Sequence, residues 1–270
     1  MKHKGTVYAL YEFLSEQGGL EREIINHANM LREAGYDVTI LTCHFDKKIL
    51  KLLPFGDVPI KNISTFATPV EWFNLVTCFL GLNKIRQYQP DVFLTYSAPV
   101  NFLVRNHRAK RINYVNHFPH YLYLTTKEKI EWAAGTQGVK RWITVAMSFI
   151  LGGWMKRIDK KLMNKNKGIF MNSAFTQKRL TKIYHIPSRV SYPPLDPKFK
   201  PATKKINERF IFSSSRIIPD KKYEWLIESI GMMKHKLPLY IAGTVEKSYR
   251  QVLENLAHKK GVTIKFLGRL

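Results

Sequence analysis

Two hydrophobic periods alternate along the chain. Gly5 to Tyr11 reads as a short strand, and after a glycine turn Leu20, Ile24, Ala28 and Leu31 recur at spacings of four, four and three, which aligns them on one helix face. Gly35 sits where such a helix ends, because glycine enters the left-handed conformation of a C-terminal cap at little cost. The run DVTILTC, residues 37–43, has the β-branched content and length of a strand buried on both faces. The opening unit is therefore strand, helix, strand.

The alternation continues. It predicts a strand from Val58 to Ser64, a helix from Glu71 to Gln87 stopped by QYQPD, and a strand VFLTYS at 92–97. Pro99 can open the next helix, the basic RNHRAKR at 105–111 leads out of it, and INYVNH at 112–117 is another buried strand. Helices near 127–134 and 139–163 precede the strand GIFMNS at 168–173, and Ser173 is placed as the N-cap of a helix running to Tyr184. Repeated units of this kind specify an α/β fold with a doubly wound parallel sheet, whose ligands bind at the carboxyl ends of the strands.

Residues 191–207, SYPPLDPKFKPATKKIN, carry four prolines and no apolar period, and read as a linker. Beyond it the alternation restarts with RFIFSSS at 209–215, a helix from Lys222 to Met233, LPLYIAG at 237–243, a helix from Glu246 to His258 and VTIKFLG at 262–268. The expected organisation is a domain at 1–190, a linker at 191–207 and a second α/β region at 208–270. Three strands and two helices are few for a doubly wound domain, so an edge or a face of the second sheet is expected to be uncovered.

Composition narrows the partners. With 45% hydrophobic and 13% aromatic residues the chain has material for a packed core, which excludes disorder and collagen-like repetition. Lys and Arg number 44 against 20 Asp and Glu, a formal charge of +24, which favours phosphate-bearing ligands, nucleic acid or anionic lipid. Nucleic acid is disfavoured because the basic residues are spread along the chain without a recognised binding module. Cys43 and Cys78 are too sparse for a disulfide framework and point to a reducing compartment. Glu12, Glu16 and the glycine pair come too early for a signal peptide. The longest apolar stretch, Trp142 to Met155, falls short of the ~20 residues that span a bilayer.

Three loops can carry chemistry. Gly18 and Gly19 lie between the first strand and the first helix, where bare backbone N–H groups and a helix N-terminus accept an anion, although a plain tight turn explains the pair equally well. Arg216 and Lys221 flank Pro219 in the same position of the second region; an arginine fork and a lysine point charge can converge on a diphosphate, or can be two solvated charges. His117, in NHFPHY, stands where a strand delivers a side chain to a ligand crevice; His120 and Tyr121 follow it as candidate acceptor or membrane contacts. No Asp-x-Asp, GxSxG, GxGxxG or P-loop is present, so metal-dependent, hydrolase and common dinucleotide readings lose ground, and no metal or cofactor is expected. Trp132, Trp142, Phe149 and Trp154, flanked by Lys140, Arg141, Lys156, Arg157, Lys160 and Lys161, suit a helix at a membrane surface or over an apolar substrate tail; a buried core helix is the alternative.

Together these pieces resemble family 4 glycosyltransferases of the GT-B fold, two Rossmann-like domains with the active site in the cleft between them. The likeness rests on GGLEREIINHANMLREAGYDVTILT, on GIFMNSAFTQKRLTKIYHIPSRVSYPPLD, and on SSSRIIPDKKYEWLIESI followed by LPLYIAG and VTIKFLGR. NHFPHYLY is similar to the dolichol-linked mannosyltransferases and their archaeal and bacterial relatives. The resemblance implies that Gly18 and Gly19 face the donor diphosphate and sugar, that His117 contacts the sugar or reaction centre, and that Arg216 and Lys221 bind the donor phosphates and stabilise the leaving group. Lys222 stands where the family's motif has glycine.

The family continues past the strand matching VTIKFLG with a pair of glutamates seven residues apart, for which this chain has no positions. The expectation is therefore a complete first Rossmann-like domain and an incomplete second one. The implied activity is retaining, metal-independent transfer of a sugar from a nucleotide diphosphate donor to a lipid-linked or envelope glycan acceptor, at the inner, cytoplasmic face of the membrane. The alternative is an inactive, membrane-associated acceptor-binding fragment that needs a separately encoded C-terminal half.

Overall fold

A computed structural model describes residues 4–16, 18–50, 57–96, 98–117, 119–133, 139–195, 200–201 and 208–269, with side chains at 49, 98, 99, 120, 132 and 139–141 outside the description. Much of the expected linker, residues 196–199 and 202–207, and Gln17 of the first loop therefore lie outside the described residues. Two compact units form, Met1–Leu124 with Met147–Phe199, and Thr125–Ala146 with Lys200–Leu270.

The first unit is built on seven parallel strands: β1 (Thr6–Leu14), β2 (Asp37–Phe45), β3 (Ile60–Asn62), β4 (Val92–Thr95), β5 (Lys110–Val115), β6 (Gly168–Met171) and β7 (Arg189–Val190), in the order β3-β2-β1-β4-β5-β6-β7. The chain order reverses between β1 and β4, the position at whose carboxyl ends open α/β sheets generally bind ligands. Alternate residues of β1 feed opposite faces. Val7 and Ala9 pack under α1 (Gly19–Glu33) with Ile24, Ile25 and Ala28. Leu10 packs on the other side with Leu41, Cys78, Val100 and Leu103, so both faces are covered.

Between β2 and β4 run the short α2 (Lys47–Leu50) and α3 (Glu71–Phe79); α4 (Ala98–Leu103) follows β4. The helix expected over 71–87 ends at Phe79. Gly81, at φ +91°, closes a C-terminal cap in which the Leu82 N–H donates to the Thr77 carbonyl (3.0 Å) and the Gly81 N–H to the Cys78 carbonyl (3.2 Å). Asn83 Nδ2 also donates to the Cys78 carbonyl (2.7 Å), and residues 85–87 make a separate 3₁₀ turn. The strand expected over 58–64 shortens to three residues, Ile60–Asn62, paired with Ile40–Thr42 of β2, and Ser64 turns aside to bridge Asn83. The thiols of Cys43 on β2 and Cys78 on α3 meet inside this layer, both fully buried, and donation to Cys78 together with burial pushes the Cys43 pKa up.

After β5 come α5 (His120–Tyr123), α6 (Thr126–Ala133) and the 26-residue α7 (Val139–Asn164); α8 (Ala174–Tyr184) follows β6. Ser173 caps α8, its hydroxyl oxygen accepting the Thr176 N–H at 3.2 Å. Buried Asp159 of α7 accepts the hydroxyls of Tyr123 (2.7 Å) and Tyr184 (2.6 Å) on a single carboxylate oxygen, tying α7 to α5 and α8. On α7, Trp142, Ile143, Phe149, Ile150 and Trp154 are exposed, Ile150 by 76% and Trp154 by 61%, so the apolar stretch forms a surface rather than a core.

The second unit holds a parallel sheet of order β10-β9-β8, with β8 (Ile211–Ser214), β9 (Leu239–Ala242) and β10 (Ile264–Gly268), and the helices α9 (Tyr223–Gly231) and α10 (Lys247–Lys260). Ile227, Ile230, Leu253 and Ala257 of the helices pack on Leu239 and Ile241 of β9. The alternate strand residues Phe212, Tyr240 and Lys265 pair in one row away from these helices; Phe212 is 49% exposed, and the Lys265 ammonium lies 5.7 Å from the Tyr240 ring centre. Among the described residues α9 and α10 leave this face uncovered, with the Phe210 ring stacked on Tyr240 at 5.0 Å.

Candidate active site

In the first unit the chain leaves β1 through an extended Gly18 and enters α1 at Gly19. Gly18, as the N-cap, has no side chain to bond the first N–H groups of this helix. A side chain on Gly18 would run into the carboxylate of Glu21, while the space over Gly19 is open. The pair is thus divided: Gly18 accommodates the folded-back Glu21, and Gly19 leaves the helix start accessible. Beside it lies a cavity of about 180 Å³ lined by Gly19, Arg22, Glu23 and Asn26 of α1 and by Pro193, Pro194 and Leu195. Drug-sized ligands fill pockets of roughly 300–1,000 Å³, so this cavity matches a phosphate or one sugar ring rather than a whole nucleotide sugar.

Tyr114, in β5, reaches under the same helix. Its hydroxyl oxygen lies 2.5 Å from Glu23 Oε1 and 2.7 Å from the Ser191 carbonyl oxygen. His27 Nδ1 lies 3.1 Å from the Tyr96 hydroxyl, and the His27 ring meets Tyr114 edge-on at 4.8 Å. Burial pushes His27 below and Glu23 above their ordinary pKa values.

His117 follows β5 and lies at the same carboxyl edge as Gly18, the two strand ends being two strand spacings, roughly 10 Å, apart. The residue keeps solvent contact, yet protein crowded around its ring lowers the pKa and favours neutral imidazole at pH 7. His120 opens α5, with its side chain outside the description. Tyr121 is half-buried, its pKa pushed up to about 12 by burial and then by the charges of Asp159 and Glu12. Trp142 and Trp154 stand on the exposed side of α7. Among the described residues no group of three His, Cys, Asp or Glu side chains is placed to hold a metal ion.

In the second unit, β8 leads through Ser215 and Arg216 to a 3₁₀ turn at Pro219–Lys221 and then to α9. The Tyr223 hydroxyl lies 2.7 Å from Ser215 Oγ and 3.3 Å from Ser213 Oγ, and Ile217 anchors the loop in the core beside Val245. Arg216 and Lys221 thereby stand exposed on one loop at the carboxyl end of β8. Lys222, where the family's motif has glycine, adopts the left-handed conformation (φ 54°, ψ 46°). Arg22, Glu23 and the residues 193–195 were not identified as site residues from the sequence; a polar i, i+1 pair on the first helix turn and a proline pair read as surface and linker.

Two parallel α/β units, each with a strand–loop–helix turn at the carboxyl end of its first strand, define the GT-B class. The fold matches Anabaena Alr3699/HepE in complex with UDP-glucose (TM-score 0.66, 15% identity, 98% of this chain and 69% of that one) and a glycosyltransferase from Rickettsia africae (TM-score 0.60, 15% identity, 98% and 68%). The chain belongs to glycosyltransferase family 4, whose family pattern matches residues 17–199. The alpha-1,3/1,6-mannosyltransferase ALG2 of Kluyveromyces lactis is 24% identical over 274 residues, covering 89% of this chain. The chain spans about half the length, 51%, of that curated relative.

Proposed function

We propose that the chain takes part in retaining transfer of a sugar from a UDP- or GDP-linked donor to a lipid-linked or envelope glycan acceptor. The observation that carries this reading is the repeated placement of Gly18–Gly19 and of Arg216 with Lys221 at the carboxyl end of the first strand in each of two parallel sheets. The UDP-glucose complex of HepE and the mannosyltransferase ALG2 support a nucleotide sugar donor. In the proposed reaction the acceptor hydroxyl oxygen bonds to the anomeric carbon on the face that the leaving group vacates. The bond from that carbon to the β-phosphate oxygen breaks, and the hydroxyl proton passes to the departing phosphate. Arg216, as a planar fork, and Lys221, as a point charge, stabilise the leaving diphosphate without a metal ion. His117, held neutral, hydrogen-bonds the transferred sugar.

The acceptor reading places α7 at an anionic membrane surface, on its cytoplasmic side. Its exposed Trp142, Phe149, Ile150 and Trp154 are followed by Lys156, Arg157, Lys160 and Lys161, and no helix among the described residues is long and apolar enough to cross a membrane. Calorimetric titration of the 270-residue chain with UDP-glucose and GDP-mannose tests the donor site. Binding of one donor, weakened at least roughly tenfold by Arg216→Ala, is expected. Absence of binding by both, or binding indifferent to Arg216→Ala, overturns it.

A second reading has its own observation, the row Phe212, Tyr240 and Lys265, which α9 and α10 leave uncovered among the described residues. Parallel sheets are normally covered on both faces, so further polypeptide, in this chain's continuation or separately encoded, docks there before turnover. It predicts acceptor or vesicle binding without transfer by the 270 residues alone.

A further inference from the structure

Tyr114 raises a question of hydrogen counting. Its hydroxyl carries one hydrogen and touches two oxygens, Glu23 Oε1 at 2.5 Å and the Ser191 carbonyl at 2.7 Å. The carbonyl has no hydrogen to offer. With Glu23 ionised, one of these short contacts would set lone pair against lone pair. A hydrogen occupies both only when Glu23 is protonated and donates to the Tyr114 oxygen, which in turn donates to Ser191. Asp159 shows the opposite count, one carboxylate oxygen receiving two tyrosine hydroxyls that each bring a hydrogen.

We propose that Glu23 is a positioning residue held as the neutral carboxylic acid, acting through Tyr114 to fix Ser191–Leu195 as the wall of the cavity beside Gly19. The surroundings fit a neutral acid. Glu23 is 5% exposed and, among the described residues, has no cation in salt-bridge range. The groups that face it are Tyr114 of β5, Asn116 just beyond, Tyr96 after β4, and His27 and Arg22 of its own helix; the segment from Ser191 offers a carbonyl. Tyr114 and Asn116 lie close enough to Glu23 to favour its charged form, but burial outweighs both. Burial shifts Glu23 in the matching direction. Ser191 is held from both sides, since its N–H donates to the Met171 carbonyl at 2.8 Å. The functional consequence, a donor-side wall whose position depends on one proton, rests on the proposed donor site; the structural consequence does not.

The test uses the 270-residue chain and three variants, Glu23→Gln, Glu23→Ala and Tyr114→Phe. Infrared difference spectra of wild type against Glu23→Gln at pH 7 are expected to show the carbonyl band of a protonated carboxylic acid. Hydrogen exchange at Ser191, Tyr192 and Leu195, corrected for intrinsic rates, is expected to accelerate roughly tenfold in Glu23→Ala and Tyr114→Phe. It should stay protected in Glu23→Gln at every pH, because the amide donates without titrating, whereas wild type loosens as the pH rises. Absence of the acid band, or equal protection in all four proteins, overturns the proposal. If Glu23→Ala fails to fold, the infrared band and the pH-independence of Glu23→Gln still decide. Donor binding is read separately: its loss with the acid band intact refutes the donor site alone.

Discussion

The carbonyl oxygen of Ser215 fills the space that a side chain on Gly243 would need. Gly243 also has φ +144°, a conformation that other residues rarely adopt, and the adjoining strands are laced by Ser215 N–H to the Ala242 carbonyl (3.1 Å) and Ile217 N–H to the Thr244 carbonyl (3.0 Å). The loop bearing Arg216 is therefore braced by the loop after β9. Gly243→Ala is expected to destabilise the second unit by at least about 2 kcal/mol in urea unfolding. Gly268→Ala, left-handed but with open space around it, should cost only about 1 kcal/mol.

Lys222 supplies the reverse case. Its left-handed backbone strains a residue with a side chain, and glycine relieves this at the expense of a more flexible unfolded chain. Lys222→Gly is expected to raise stability by roughly 0.5–1 kcal/mol, and Lys222→Val to lower it, as read by thermal unfolding.

Asp159 joins three helices through two tyrosine hydroxyls. Asp159→Ala leaves both without an acceptor in a buried site and is expected to cost about 2–4 kcal/mol. Asp159→Asn retains an accepting oxygen and should cost less than half as much, measured in the same denaturant series.

Acid sensitivity follows from His27. Burial depresses its folded pKa below 6.5, so the folded chain binds fewer protons than the unfolded chain in the window between the two values. Its contribution is full above pH 6.5 and is lost as the pH falls through the folded value; His117 acts in the same sense. Glu23 has the opposite sign, contributing fully below its ordinary 4.5 and losing that contribution as the pH rises through its raised folded value. Melting temperatures across pH 4–8 should flatten on the acid side in His27→Gln with His117→Gln, and fall more steeply toward acid in Glu23→Gln than in the wild type.

The α7 surface predicts lipid preference. Trp142→Glu with Trp154→Glu is expected to weaken sedimentation with phosphatidylglycerol vesicles at least roughly tenfold, and about 0.5 M salt to weaken wild-type binding. Equal binding by wild type and the double variant refutes a role for this face.

The parallel sheets were legible because their strands are apolar runs separated by helices with a clear 3.6-residue period; Gly35 and Ser173 mark their helix ends by local chemistry alone. Element lengths were less legible. Residues 71–87 keep an apolar period past Phe79, and only the hydrogen bonds of Gly81 and Asn83 break the helix. Whether the Trp142–Met155 stretch is core or surface depends on what packs against it, which no single-segment pattern contains. At the candidate site, glycines and basic residues announce themselves by position, but the Glu23–Tyr114–Ser191 chain joins residues 91 and 77 positions apart and leaves no local signal.

The buried meeting of Cys43 and Cys78 gives the first unit a built-in clock. Neither sulfur can reach an alkylating reagent until α3 lifts from β2, so the rate of thiol labelling reports how often that layer opens. With only these two cysteines in the chain, the measurement needs no introduced probe and follows a single event.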